Sequence, residues 1–314
     1  MGASAALSVD RGKLMSGWFV ITGASSGLGS ATAKELAKAG HNTILACRDR
    51  AKATAIEHEI RAVASAAGVR IVPIDLASLS SVRHGARIIA DHELAGIICN
   101  AGLQVVHGVR ESADGYELTF ATNHLGHFQL VTQLTDGLPA GSRILVVSSD
   151  VHQGPRKSMG FPGPAWTHPS DLADIRVQRH RTSSHAGRVR YATSKLANVY
   201  FTYELAERLR PRGIAVNAFN PGLMPETGLA RDYPTAMRQT YRLLAPAVRR
   251  LLPIGRSVAE SAADLAWIAT APELSAVTGS YFTGRTPVAS APASYDRTRA
   301  ELLWRASEEL VQGA

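Results

Sequence analysis

Tyr191 and Lys195 stand four residues apart in Tyr-Ala-Thr-Ser-Lys. On a helix that spacing is about one turn, so both side chains leave from one face. An ammonium held near a phenol favours the phenolate, which makes Tyr191 a candidate to give or take a proton near neutral pH. Far upstream, Thr22-Gly23-Ala24-Ser25-Ser26-Gly27-Leu28-Gly29 follows an apolar run and precedes a helical pattern. Glycines let a backbone close on pyrophosphate, and the start of a helix adds unpaired amides and the positive end of its dipole. A proton donor combined with a dinucleotide seat points to hydride transfer coupled to proton transfer. The competing reading is a glycine turn kept for packing and a chance Tyr-x-x-x-Lys.

Further residues refine the dinucleotide reading. The next strand ends Ala46-Cys47-Arg48-Asp49. An NAD site wants a carboxylate at this place for the ribose hydroxyls, and an NADP site wants an arginine for the 2′-phosphate. Cys47 stands where the acid is expected and Arg48 follows, with a guanidinium that can meet phosphate through two hydrogen bonds. NADP(H) is therefore the expected cofactor, against the alternative of Arg48 as a solvated residue opening a helix. Asp49 reads as that helix's N-cap. Asp75-Leu76 closes a third strand, where it would meet the adenine or cap the following helix. Asn100-Ala101-Gly102 closes a fourth, where small residues would let cofactor and chain approach closely.

These residues need a frame. Short apolar runs at Trp18–Thr22, Thr43–Cys47, Val69–Ile74, Ile97–Asn100, Ile144–Ser149, Ala215–Asn220 and Ser280–Phe282 alternate with helical stretches such as Ser30–Ala39, Lys52–Ala66 and Tyr191–Arg210. Alternation of this kind, with strands apolar on both faces, predicts an α/β fold: a Rossmann-type, doubly wound parallel sheet of about seven strands with helices on both faces. Its ligand crevice should open beyond the carboxyl ends of the strands. Residues 16–314 read as one domain after a loose tail over 1–15. Two proline-rich stretches break the rhythm: an insertion over 150–188 ahead of Tyr191, and a segment over 223–256 expected to close over substrate.

Composition narrows the functional class. The 314 residues are 45% hydrophobic with a formal net charge of +8. The arginines are scattered without aromatic interleaving, so the charge suits an anionic cofactor or substrate better than nucleic acid. No apolar run is long enough to span a bilayer. Met1 to Lys13 lacks a secretory pattern. Cys47 and Cys99 are too few for a disulfide framework and read as buried small hydrophobes in a reducing, cytoplasmic setting. His124 and His127 lie three apart without a third ligand, so no metal is expected.

Taken in order, Thr22–Gly29, Asn100-Ala101-Gly102, Asn123, Ser148-Ser149, Tyr191-x-x-x-Lys195 and Pro221-Gly222 resemble the short-chain dehydrogenase/reductase family over roughly 17–282. Ala46-Cys47-Arg48-Asp49, Asp114-Gly115-Tyr116-Glu117-Leu118, Asn123-His124-Leu125-Gly126-His127-Phe128 and Ser194-Lys195-Leu196-Ala197-Asn198 resemble its branch of retinol dehydrogenases and protochlorophyllide oxidoreductases. The resemblance implies that Tyr191 is the general acid or base and that Lys195 binds the nicotinamide ribose and lowers the tyrosine pKa. It implies that Ser149 hydrogen-bonds the substrate oxygen, with Ser148 as its possible substitute, and that Asn123 holds a water in a proton relay. Gly23, Ser25, Ser26, Gly27, Leu28, Gly29, Arg48, Asp75, Leu76, Asn100, Ala101, Gly102, Pro221, Gly222 and Thr227 would line the cofactor, together with Tyr191 and Lys195.

The expected activity is NADP(H)-linked interconversion of a carbonyl and an alcohol on a fairly large apolar molecule. Reduction of a conjugated C=C bond and a non-redox step on the same fold are the alternatives. Leu223 follows Pro221-Gly222 where the light-dependent pigment reductases carry a cysteine, which argues against photochemistry. Arg238, Arg242 and Arg249 would suit a substrate carboxylate. The 150–188 insertion could shield the helix through which such proteins often assemble, so monomer, dimer and tetramer all stay open.

Overall fold

The structure is a computed structural model that describes residues 17–224 and 255–314. The expected tail, Thr227, Arg238, Arg242, Arg249 and most of the expected substrate-closing segment lie outside the described residues. Eight strands form one sheet: β1 (Trp18–Thr22), β2 (Asn42–Cys47), β3 (Val69–Pro73), β4 (Leu94–Cys99), β5 (Arg143–Val147), β6 (Ala215–Asn220), β7 (Ser280–Thr283) and β8 (Thr286–Val288). Their spatial order is β3-β2-β1-β4-β5-β6-β7-β8. The first seven run parallel, and β8 pairs antiparallel with β7.

The eighth strand goes beyond the seven expected from the sequence. Gly284 sits at φ +60° between Thr283 and Arg285, a conformation glycine adopts without penalty, and it folds the chain back along β7. β8 is short and exposed, so it lacks the continuous apolar run that marks the other strands.

Helices cover both faces: α1 (Gly27–Lys38), α2 (Arg50–Val63), α3 (Leu79–Ala90), α4 (Gly126–Leu134), α5 (Pro169–Ala173), α6 (Ile175–Gln178), α7 (Ser184–Leu209), α8 (Val258–Thr270) and α9 (Arg297–Gln312). Adjacent strand residues point to opposite layers. Val20, Ile44 and Val146 pack with Val82 of α3, Phe128 of α4, Phe201 of α7 and Trp304 of α9. Phe19, Ile21 and Leu45 pack with Leu36 of α1, Ile60 of α2 and Leu265 of α8.

Local chemistry fixes several helix starts. Asp49 caps α2 by accepting the Lys52 amide at 3.0 Å, as its sequence position predicts. Ser257 and Glu260 form a reciprocal capping box on α8. The helix bearing Tyr191 begins at Ser184 with Ser183 as its cap, so the insertion ends a few residues sooner than the sequence pattern indicates. Within it lie two short helices, α5 and α6. The sheet order reverses between β1 and β4, which places the crevice where the carboxyl ends of these strands part.

Candidate active site

A cleft of ≈ 790 Å³ runs along those carboxyl ends, within the roughly 300–1,000 Å³ of small-molecule sites. Gly23 and Gly27 adopt φ of +67° and +57°, so the turn after β1 needs glycine at both. Gly29 does not face the cleft. A Cβ there would fall 2.6 Å from the Gly23 carbonyl oxygen and 2.5 Å from Asn100 Nδ2, so its role is to let α1 approach the turn. Ser25, Ser26 and Leu28 line the cleft with Gly23 and Gly27. No side chain caps the first turn of α1, which leaves its amides available to an anion. Uncapped amides beside a glycine cradle fit a dinucleotide pyrophosphate.

Thr22 ties this turn to the floor. Its Oγ1 accepts the amides of Asn100 at 2.9 Å and Ala101 at 3.0 Å, and Asn100 Nδ2 donates to the Thr22 carbonyl at 2.9 Å. Asn100, Ala101 and Gly102 line the cleft as expected, and so do Arg48, Asp75, Leu76, Pro221 and Gly222. Arg48 is largely exposed and lies 3.6 Å from the Asp75 carboxylate. Asp75 accepts the Ala77 amide, while Ser78 caps α3. Lys52, which the sequence reading passed over, also lines this end and pairs with Asp49 at 2.8 Å. Its position in the first turn after Arg48 was the available signal. Burial pushes the Cys47 thiol up to about 11 and raises Cys99 further. Both are free and buried, which is the setting of unreactive thiols.

At the opposite end Ser149, Tyr191 and Lys195 line the cleft. Lys195 Nζ lies 5.6 Å from the Tyr191 ring centroid and donates to the Val147 carbonyl at 3.0 Å. Burial lowers the Lys195 pKa to about 8. The two adjacent serines divide their tasks. Ser148 is buried and donates to the Lys195 carbonyl at 2.9 Å, whereas Ser149 is half-buried at the cleft wall. Phe161 of the insertion stands edge-on to Tyr191, ring centroids 6.1 Å apart.

Asn123 is fully buried beneath the cleft rather than in its wall. It belongs to a π-helical turn, Ala121–Leu125, between the short helical segment Leu118–Phe120 and α4. Such turns recur at functional sites. Its Oδ1 accepts the Leu103 amide at 2.8 Å. Its Nδ2 donates to Ser194 Oγ at 2.9 Å, and that hydroxyl donates to the Tyr191 carbonyl at 2.8 Å. The side chain thus braces α7 between Tyr191 and Lys195.

A buried histidine adds a link that the sequence reading missed. His127 contacts the Asn123 carbonyl through Nδ1 at 3.1 Å and Thr22 Oγ1 through Nε2 at 2.8 Å. A carbonyl can only accept, so Nδ1 carries the proton and Nε2 receives that of Thr22. Burial lowers the His127 pKa to about 4, which keeps the ring neutral. One imidazole therefore links the glycine turn to the π-helical turn, across 105 positions of sequence. The Asn123-x-x-x-His127 spacing was visible, but not its destination. Among the described residues, no group of three His, Cys, Asp or Glu side chains could hold a metal ion, and no helix is long and apolar enough to cross a membrane.

The family model for short chain dehydrogenase matches residues 18–161. Retinol dehydrogenase 13 of Mus musculus is 37% identical over 93% of this chain and 83% of its own length. WW domain-containing oxidoreductase of Pongo abelii is 35% identical over 99% of this chain and 72% of its own length. An uncharacterised protein from Mycobacterium Paratuberculosis superposes with a TM-score of 0.70 at 30% identity, covering 94% of this chain and 93% of that one. A short chain dehydrogenase from Burkholderia cenocepacia, solved with NADP, has a TM-score of 0.63 at 23% identity over 86% of this chain and 96% of its own, a likeness of fold.

Proposed function

This chain belongs to the short chain dehydrogenase family, in its retinol dehydrogenase-like branch, and from that we propose that it is an NADP(H)-dependent oxidoreductase interconverting a carbonyl and an alcohol. The observation that carries this reading is the placing of Lys195 Nζ 5.6 Å from the Tyr191 ring, in the same cleft as the glycine turn. The glycine turn and α1 amides hold the pyrophosphate, Asn100, Ala101 and Gly102 form the floor, and Pro221 and Gly222 border the nicotinamide. Arg48 receives the 2′-phosphate, with Lys52 beside it and Cys47 where an NAD site would carry an acid. Bound there, the cofactor supplies or accepts the hydride.

The chain's own residues manage the proton and the geometry. Ser149 Oγ holds the substrate oxygen. In reduction, Tyr191 donates its phenolic proton to that oxygen; in oxidation it takes the proton back. The Lys195 ammonium favours the tyrosinate left behind, and Ser148 and Val147 fix the lysine from the sheet side. Asn123 sets the spacing of α7 against the floor and supports the relay that reprotonates Tyr191. The insertion over 150–188 covers the reacting end, and the apolar character of Leu103, Val151, Phe161 and Leu223 suits a fairly large apolar substrate. Positioned proton transfer of this type contributes about 10²–10⁴-fold.

The test is NADPH oxidation against aldehydes, ketones and enones, with product identification. Turnover of a carbonyl to its alcohol is expected. Tyr191→Phe should lose it by about 10²–10⁴-fold while NADPH still binds. Full activity in that variant defeats the reading, and a saturated C=C product would move the chemistry to enone reduction.

A further inference from the structure

The two ends of the cleft carry their positive charge differently. At the end expected to hold the 2′-phosphate, each cation has an acidic neighbour: Arg48 has Asp75 at 3.6 Å and Lys52 has Asp49 at 2.8 Å. At the reacting end the cleft is lined by Lys157 and Arg188, and neither is ion-paired to a carboxylate among the described residues. Other arginines of the same helix are: Arg190 lies 3.4 Å from Glu117, and Arg208 lies 2.8 Å from Glu204. Among the described residues a single acid, Asp150, lines this end, and its Oδ1 already accepts from Tyr281 and Gln153 at 3.1 Å each.

Placement makes the two cations more than a solvated rim. Arg188 precedes Tyr191 by three positions on α7, so it shares that face one turn back, a rise of about 4.5 Å along the axis. Its Nε donates to the Ser184 carbonyl at 3.3 Å. That bond ties the half-buried side chain to its own helix and directs the donors of both terminal nitrogens elsewhere. Lys157 sits on a built turn. Ser158 Oγ donates to the carbonyls of Gly154 at 2.8 Å and Phe161 at 3.2 Å. Met159 and Gly160 follow at φ of 53° and 81°, and Phe161 then packs on Tyr191. The turn that presents Lys157 is thus anchored against the proposed reacting group, and apolar Leu103, Val151, Met159 and Phe161 line the same cleft.

Resting on the oxidoreductase reading, we propose that the substrate carries a carboxylate, which Arg188 and Lys157 bind while the carbonyl to be reduced lies against Tyr191. The substrate class is an oxo-acid with an apolar body between its two polar ends. Guanidinium and carboxylate pair through parallel hydrogen bonds, so Arg188 sets the orientation and Lys157 adds charge.

The experiment compares 4-carboxybenzaldehyde with its methyl ester, methyl 4-formylbenzoate, on the full chain with NADPH. The acid should be reduced with a kcat/KM roughly ten- to a hundred-fold higher, the worth of a charge-assisted hydrogen bond. Arg188→Met and Lys157→Met should each erode that preference by raising KM for the acid alone, leaving the ester rate and NADPH affinity unchanged. Calorimetry of 4-(hydroxymethyl)benzoate and its methyl ester with the NADPH-loaded protein, a pairing of alcohol and reduced cofactor that cannot react, reads the same site without turnover. Acid bound in preference to ester but never formed or consumed keeps the anion site and sinks the oxidoreductase reading. Ester turned over as well as acid keeps that reading and overturns the anion site. Loss of both substrates to the same degree in Arg188→Met overturns it too, as does a lack of any difference in binding between acid and ester.

Discussion

His152 donates its Nδ1 proton to the main-chain carbonyl of Ser149 at 2.6 Å. The tautomer is fixed from the other side, because Nε2 accepts the Ala291 amide at 3.1 Å. The ring also packs on Tyr281, centroids 5.0 Å apart. His127 does the same for Asn123, so two neutral imidazoles each hold a carbonyl belonging to a residue of the proposed active site.

If His152 positions Ser149, its loss should act on kcat more than on cofactor binding. His152→Phe is expected to lower kcat by up to about 10²-fold, the cost of a small misplacement of a reacting group, with NADPH affinity held. His152→Asn, whose amide can reach toward the same carbonyl, should recover part of the rate. Equal rates for Phe, Asn and parent proteins would remove His152 from the site. Steady-state kinetics with separate NADPH titrations makes the distinction.

Arg48 carries the cofactor choice. It is 64% exposed in its side chain and therefore able to close on a phosphate without breaking a buried contact. Arg48→Ala should weaken NADPH binding by about ten- to a hundred-fold, in line with a charge-assisted contact, and leave NADH nearly unchanged. Fluorescence titration of both cofactors reads this. Equal NADH and NADPH affinity in the parent would show that the phosphate is not recognised there.

Acid should unfold the protein through its buried histidines. Burial lowers the pKa of His41 and His152, of His124 to about 3 and of His127 to about 4. The folded rings stay neutral while the unfolded chain takes up protons below its ordinary value of 6.5. Stability is therefore complete above pH 6.5 and is lost as pH falls toward the folded values, by up to about 1.4 kcal/mol per histidine for each pH unit. Thermal unfolding between pH 7.5 and 5 should show a falling Tm. A flat curve across that window contradicts neutral burial of these rings.

Gly187 is the point where α7 meets the loop below the cleft. A Cβ at this position would stand 2.2 Å from the Val106 carbonyl oxygen and 2.4 Å from that of Val105, and backbone cannot yield as a side chain can. Gly187→Ala should cost about 1–3 kcal/mol of stability, as overpacking does, and displace Tyr191 one turn on. Chemical denaturation measures the first effect and kcat the second. Parent-like values for both would show that the close approach is not needed.

The sequence by itself determined the parts that are local. Strand runs such as Trp18–Thr22 and Ala215–Asn220, the glycine turn, the Asp49 cap and the Tyr191-x-x-x-Lys195 face follow from period, turn chemistry and capping, which act over a few residues. Tertiary structure decided what depends on distant partners. Ser148 and Ser149 look alike in sequence and both border the cleft, yet only Ser148 reaches back to the Lys195 carbonyl, while Ser149 caps the turn beyond β5 by accepting the Val151 amide. Asn123 was legible as a candidate, but its hold on Ser194 spans 71 positions, and His152 meets Ala291 across 139. Nor did any periodic pattern announce β8, or bring Lys157 of the insertion to the same cleft as Arg188 of the helix. Those meetings arise only when the crossovers stack helices on the sheet, since no interaction short enough to be encoded locally joins the segments beforehand.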